Sequence, residues 1–157
     1  MKPTPISDDA NQPMTLLHRL QLGALIISDG GTGTFLQDNG LEPGGCPEEL
    51  NSSNPELVKK MSEQYFQAGS DMVLTNTFGG NIFMQQKYGY GEKVQEFNRL
   101  AARHAVSQAS QGHIVAGSVG PTGEFLEPLG QVSESGMYEA FAQQVSALEE
   151  GGASAIC

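Results

Sequence analysis

An acidic residue followed directly by a glycine-rich turn is the first place in this sequence where chemistry is expected. In LIISDGGTGTFLQ, residues 25–37, an apolar run ends at Asp29 and continues into Gly30, Gly31 and Thr32. The stretch has neither the Gly-Lys-Ser/Thr of a Walker loop nor the G-x-G-x-x-G spacing of a dinucleotide site. A carboxylate beside free backbone amides suits a zwitterion, because the acid can bind an ammonium and the amides a carboxylate. The alternative, a carboxylate that only caps the turn, fits the sequence equally well.

Two later segments carry similar small polar residues. TNTFGGN, residues 75–81, contains Asn76 and Thr77 directly after an apolar run, and GSVGPTGE, residues 117–124, contains Gly120. Asn76 and Thr77 are candidates for the rim of a site, although capping of the loop is the commoner role. The second segment can equally be a Pro-Gly turn, and its Glu124 is a candidate base that more often would be solvated.

The elements that must position these residues alternate along the chain. Apolar and periodic segments predict four strands and four helices, the first of them short, which implies an α/β fold with parallel strands and right-handed crossovers. Such folds bind ligands at the carboxyl ends of their strands, where the three polar segments fall. The architecture is an open doubly wound sheet or a (β/α)8 TIM barrel, of which this chain would supply about the first four βα units. The predicted strands cover 24–28, 71–78, 113–120 and 153–157, and the predicted helices cover 14–23, 54–69, 91–112 and 132–152.

The helical periodicity also predicts which side chains enter the core. Asn54 is the predicted cap of the second helix, and Gly69 its end. The predicted buried faces of the last three helices are Leu57, Met61, Tyr65 and Ala68; Val94, Phe97, Ala101, Ala105 and Gln108; and Tyr138, Phe141, Val145 and Leu148.

Composition narrows the class of protein. The 157 residues suit one domain (14–157) that follows a flexible arm (1–13), and the net charge of −10 argues against a nucleic-acid groove.

No signal peptide and no bilayer-spanning run is visible, which predicts no membrane partner. Cys46 and Cys157, the two cysteines, form no disulfide framework, so a cytoplasmic location is expected. Cysteines and histidines lack the spacing of a metal site, and no metal ligand is predicted in this chain.

Four motifs together resemble one family. DGGTGTFLQDNG, CPEELNSSNPELV, AGSDMVLTNTFGGN and GSVGPTGEFLEPLG, taken in this order, are similar to the homocysteine S-methyltransferase family. That family includes the homocysteine-binding domain of cobalamin-dependent methionine synthase and betaine–homocysteine methyltransferase. The resemblance runs from about residue 16 to residue 157.

The resemblance implies a (β/α)8 barrel in which zinc holds homocysteine as a thiolate that accepts a methyl group. The family's three cysteine ligands would lie beyond Cys157, and a corrinoid or folate methyl donor would sit on another domain or protein. Asp29 would bind the amino group of homocysteine and nearby loop amides its carboxylate. The chain would then be the N-terminal half of the barrel, truncated at strand four and inactive alone. The alternative is a non-catalytic half barrel that binds an amino acid or assembles with a missing half. The substrate-binding candidates are Asp29, Gly30, Gly31, Thr32, Asn76, Thr77 and Gly120.

Overall fold

Three parallel strands form the centre of the protein. The computed structural model describes residues 15–157; the predicted arm at 1–13 lies outside them. The strands are β1 (Met72–Leu74), β2 (Ile114–Gly117) and β3 (Ala155–Ile156), in the order β1-β2-β3. Val73 pairs with Val115, and Gly117 pairs with Ile156. The predicted parallel pairing in sequence order is therefore confirmed for these three strands.

The predicted first strand, 24–28, is wrong as a regular strand. Only Ser28 forms a bridge, a single parallel one to Met72, and Leu25 and Ile27 are 83% and 53% exposed. The segment is held by Asp71, whose carboxylate accepts a hydrogen bond from the Ile27 N–H at 2.9 Å. Its apolar composition predicted burial on both faces, but among residues 15–157 a strand contacts it on one side only.

The helices lie where the periodicity predicts them, with three additions. Asn54 accepts a hydrogen bond from the Leu57 N–H, which confirms the predicted cap, and Gly69 follows with φ of +103°. Three short helices that were not predicted, Thr32–Asp38, Leu50–Ser53 and Ile82–Lys87, fill the connections. Two 3-10 turns, Pro47–Glu49 and Gly91–Lys93, each lead directly into the helix that follows. The helices are α1 (Leu16–Gln21), α2 (Thr32–Asp38), α3 (Leu50–Ser53), α4 (Pro55–Gln67), α5 (Ile82–Lys87), α6 (Val94–Gln108) and α7 (Glu134–Gly151).

The buried faces of α4 and α6 are largely those predicted, and that of α7 is rotated. Leu57 and Met61 of α4 and most of the predicted face of α6 are buried, whereas Ala68 is exposed at the end of α4. In α7 the predicted Tyr138 is 74% exposed and Phe141 and Val145 are half-buried, whereas Leu148 is buried as predicted. A Cβ on Gly151 would lie 2.6 Å from the Arg99 carbonyl oxygen, so α6 and α7 approach closely there. The buried residues of α7 are Ala140, Gln144, Ala147, Leu148 and Gly151.

Within residues 15–157, no helix combines the length and the apolar composition that a membrane crossing requires.

Candidate functional site

A cavity of about 370 Å3 opens at the carboxyl ends of β1 and β2. Leu74 is the last residue of β1, and Ser118 directly follows β2, so the strands end in its wall. The lining combines a few polar residues with a larger apolar and aromatic part. The polar lining residues are Thr32, Glu48, Asn76 and Ser118, and the apolar ones include Leu74, Phe78, Met84 and Tyr88.

Asp29 joins the first segment to the sheet. Its backbone N–H donates to the Met72 carbonyl, and its Oδ2 accepts from the Leu74 N–H at 2.8 Å. Oδ1 accepts from the Ser28 hydroxyl at 3.0 Å. Asp29 is not part of the cavity lining, and these contacts are of the backbone-capping type that the sequence left open.

Burial raises the pKa of Asp29, and the hydrogen bond from the Leu74 N–H partly opposes that effect. The pKa is therefore higher in the folded chain than in the unfolded one. The group's contribution to stability is fully present below the unfolded pKa and is lost as the pH rises through the folded pKa. Asp29 is thus a carboxylate for which a cationic neighbour would be favourable.

The glycine turn after Asp29 leads straight into α2. Gly31 is the residue before the helix, and Thr32 begins it and lines the cavity. The Tyr65 hydroxyl donates to the Gly31 carbonyl at 3.3 Å, and Gly30 lies against the same ring. The amides of the first helical turn lack intrahelical partners, as at any helix start. Of the predicted turn residues, Thr32 therefore reaches the cavity, whereas Gly30 and Gly31 pack beside Tyr65.

Asn76 and Thr77 are both buried, and their side chains bind backbone groups. The Asn76 side-chain amide donates to the Pro47 carbonyl at 2.7 Å, so it ties the loop before α3 to the end of β1. The Thr77 hydroxyl donates to the Ser118 carbonyl at 2.8 Å, which joins the ends of β1 and β2. Asn76 lines the cavity, whereas Thr77 does not.

Gly120 and Glu124 lie further from the cavity. The Gly120 N–H donates to the Phe78 carbonyl, and a Cβ at Gly120 would lie 2.6 Å from that oxygen. The absence of a side chain thus permits the close approach. Glu124 forms an exposed ion pair with Lys87 at 3.0 Å, as expected for a solvated loop acid.

Glu48 lines the cavity and was not among the residues that the sequence predicted for the site. Its side chain is 2% exposed. Oε1 accepts from the Gly79 N–H at 2.7 Å, and Oε2 accepts from the Gln85 side-chain amide at 3.2 Å and from the Cys46 thiol at 3.4 Å. In the sequence CPEEL, two adjacent glutamates resemble a solvated first turn. Nothing in that pattern distinguishes Glu48 from its neighbour, so only the fold identifies it.

The described residues do not fit a zinc site. Across residues 15–157, no three His, Cys, Asp or Glu side chains lie close enough together to hold a metal ion. Cys46 is buried, and burial together with the nearby Glu48 charge raises the pKa of its thiol to about 11. A thiol in this state is protonated at neutral pH, whereas a zinc ligand must be a thiolate.

The two cysteines should therefore differ sharply in reactivity. Cys157 is exposed, whereas Cys46 is buried and its thiol has a raised pKa. In mildly alkaline solution we expect a disulfide reagent to titrate one thiol per chain quickly and the second only after unfolding, since the thiolate is the nucleophile. Cys157→Ser should remove the fast phase. Two fast thiols in the folded chain would contradict the environment described for Cys46.

Parallel strands joined by helices define an α/β protein, and its largely apolar cavity opens at the carboxyl edge of the sheet, where such folds bind ligands. The chain belongs to the homocysteine S-methyltransferase family, because the model of that family matches residues 26–157. The predicted resemblance is thereby confirmed.

Two methionine synthases are similar to this chain in sequence. The chain is 33% identical over 146 residues to a methionine synthase of Mycobacterium leprae and 32% identical to one of Mycobacterium tuberculosis. Each alignment covers 84% of this chain and 12% of the methionine synthase.

Among solved structures, the homocysteine methyltransferase MmuM from Escherichia coli is similar in fold. Its oxidised form has a TM-score of 0.71 and 22% identity, and the match covers 93% of this chain and 56% of that one. Its metallated form has a TM-score of 0.73 and covers 88% and 55%. The chain thus spans about half of this enzyme and a small part of the methionine synthases.

Proposed function

We propose that this chain is part of a zinc-dependent cytoplasmic methyltransferase that transfers a methyl group to the thiolate of homocysteine or a related thiol. The observation that carries the proposal is the family match over residues 26–157. The cavity at the ends of β1 and β2 supports it, because parallel α/β folds bind substrates there. In the proposal the chain forms the first four βα units of a (β/α)8 barrel, consistent with its coverage of 56% of a solved methyltransferase.

The residues of this chain would bind and orient the amino acid. Asp29 would accept the ammonium group, and the amides of Gly30, Gly31 and Thr32 would bind the carboxylate. Asp29 has acceptor capacity left, because a carboxylate offers about four lone-pair positions and only two donors occupy it here. Asn76 would line the substrate cavity, and Thr77 and Gly120 would support it from outside the lining by holding the segments after β1 and β2 together. Since residues 15–157 offer no ligand set, zinc would be held outside this chain, and a corrinoid or folate donor likewise.

The test is Asp29→Asn in the parent protein, meaning the protein to which this segment belongs. If Asp29 binds the ammonium, the KM for homocysteine should rise about ten- to a hundredfold, since a charged hydrogen bond contributes roughly 1.5–3 kcal/mol. Steady-state kinetics at saturating methyl donor measure the change.

The matched control is Asp38→Asn, which makes the same substitution at an exposed position at the end of α2. This control should leave KM unchanged. An unchanged KM in Asp29→Asn, together with a lowered melting temperature, would assign Asp29 to capping of the Leu74 amide alone.

A second candidate function rests on the exposed apolar groups at both edges of the sheet. Leu25 and Ile27 flank the β1 edge, and Ile156 lies on β3 at the other edge. These groups favour a non-catalytic half barrel that binds an amino acid or assembles with a missing half. Sedimentation of the chain alone and with the remainder of the parent protein tests this; a stable monomer in both cases would reject it.

A further inference from the structure

The loop between β1 and α5, residues 75–81, is anchored through its backbone carbonyl groups, and we call it the β1 loop. Every carbonyl from residue 76 to residue 80 accepts a hydrogen bond. One donor is the Gly120 N–H, which binds the Phe78 carbonyl. The other four donors are side-chain amides, each from a different helix, at 2.8–2.9 Å: Asn51 of α3 to Asn76, Gln144 of α7 to Thr77, Gln85 of α5 to Gly79, and Asn98 of α6 to Gly80.

These anchors contact the β1 loop from outside the cavity. The loop supplies Asn76, Phe78 and Gly79 to the cavity lining, whereas none of the four amide side chains belongs to that lining. A peptide unit is planar, so a hydrogen bond that fixes the direction of a carbonyl also fixes the N–H of the next residue. Four helices thus determine how the backbone of the β1 loop is oriented in the cavity wall.

Asn98 and Gln144 pack directly against this backbone. Both side chains are 0% exposed. A Cβ on Gly80 would lie 2.6 Å from the Asn98 Oδ1 and 2.8 Å from the Gln144 Nε2, so the absence of a side chain at Gly80 permits both contacts.

The same two amides each carry an oxygen without a hydrogen bond. Within residues 15–157, no donor binds the Asn98 Oδ1 or the Gln144 Oε1. The desolvation cost of a buried unpaired oxygen offsets much of what the amide gains through its donor. These side chains therefore add little net stability, and their main effect is the direction that they impose on the carbonyls of Thr77 and Gly80.

We propose that Gln144 and Asn98 are positioning residues of the candidate site. They hold the β1 loop so that Phe78 and Gly79 stand in the cavity wall and the Gly79 N–H meets the Glu48 carboxylate at 2.7 Å. Neither residue lines the cavity, so each acts through the loop. The expected effect on homocysteine binding rests on the proposed function, whereas the anchoring of the loop does not.

The test is Gln144→Met in the parent protein. Methionine keeps an unbranched side chain of similar length and removes both the donor and the unpaired oxygen. The Thr77 carbonyl still accepts from the Gly80 N–H at 2.9 Å, so the substitution leaves no loop carbonyl without a partner. The matched control is Gln143→Met, which changes the neighbouring, half-buried glutamine that takes no part in these contacts.

The first readout is hydrogen exchange measured by mass spectrometry without any ligand. In Gln144→Met we expect exchange in the peptide that covers residues 75–81 to be about threefold to tenfold faster, the range for one neutral hydrogen bond, with no change in β2. Gln143→Met should exchange like the unsubstituted protein. Gly80→Ala tests the same contact from the loop, because its methyl group would displace both amides, and it should accelerate exchange in the same peptide.

The second readout is steady-state kinetics with homocysteine. We expect Gln144→Met to raise KM about threefold to tenfold and to change kcat by less than about twofold, because the loop lines the substrate cavity and the thiolate is generated elsewhere. Gln143→Met should change neither constant.

Three outcomes would overturn the proposal: unchanged exchange of the β1 loop in both Gln144→Met and Gly80→Ala, faster exchange spread evenly over β1 and β2, or faster loop exchange with an unchanged KM for homocysteine. Failure of the proposed function gives a different result. If exchange rises in the loop alone but the parent protein does not methylate homocysteine, the anchoring role stands and the homocysteine assignment fails.

Discussion

Residues 1–157, purified alone, are expected to transfer no measurable methyl group to homocysteine, whether or not zinc is added. A thiol with a pKa of about 8.5 is mostly protonated at neutral pH, so the reaction needs a group that generates and holds the thiolate. The chain has two cysteines and three histidines, and within residues 15–157 they do not converge with acids on a metal site. Loss of positioning of the reacting sulfur removes an advantage of about 10^5 or more in effective molarity.

The measurement is a methyl-transfer assay that compares the chain with the parent protein at equal concentration. A mixture of the chain with the remainder of the parent protein is the control, because βα units pack mainly against their neighbours and the pieces can reassemble. Activity in the mixture but not in the chain alone would show that the isolated chain is inactive because it lacks catalytic residues, not because it is misfolded. Zinc-dependent turnover by the chain within about tenfold of the parent rate would show that the catalytic groups lie inside residues 1–157.

Leu148→Ala should lower the free energy of unfolding by about 2–5 kcal/mol, the range for removing a fully buried leucine side chain. Leu148 is 0% exposed, and a Cβ at Gly117 of β2 would lie 2.7 Å from its Cδ1. The substitution would thus leave a cavity between α7 and the sheet. Urea unfolding followed by circular dichroism measures the change.

Tyr138→Ala in the same helix is the control, and it should change the free energy of unfolding by less than about 0.5 kcal/mol. Periodicity assigned Tyr138 and Leu148 to one buried face, whereas the structure exposes the tyrosine. Equal destabilisation by the two variants would show that α7 packs on the face predicted from sequence.

Local signals predicted the elements well because the causes of those elements are themselves local. Asn54 and Pro55 begin α4 through a cap and a preset φ, and both act within one turn. The face of α7 depends instead on α6, since Gly151 lets the helices approach and thereby sets the rotation. The prediction of a regular strand at 24–28 was wrong for a related reason. An apolar run shows that burial is favourable, but it does not show whether a neighbouring strand or helix is present to cover the run.

The sequence placed the candidate site at the carboxyl ends of the strands, and the cavity opens there with Thr32 and Asn76 in its lining. The binding roles of these residues stay a prediction. Glu48 was missed because two of its three hydrogen-bond partners, the Gly79 amide and the Gln85 side chain, are more than thirty residues away in the sequence. Asp29 shows the opposite case: its position before a glycine-rich turn identified it in the sequence. Its hydrogen bonds with the Leu74 N–H and the Ser28 hydroxyl could be found only from the fold.

The parallel register also constrains the order in which the chain can fold. Val73 pairs with Val115 and Ala116 with Ala155, so each strand pair joins residues about forty positions apart. Closing loops of that length costs entropy before any strand contact repays it, whereas helical turns form from neighbours. During synthesis, β1 therefore has only the single bridge between Ser28 and Met72 until β2 follows α6, and β2 gains its second partner only after α7. The sheet grows one strand at a time in the direction of translation, with each helix in place before the strand pair that follows it.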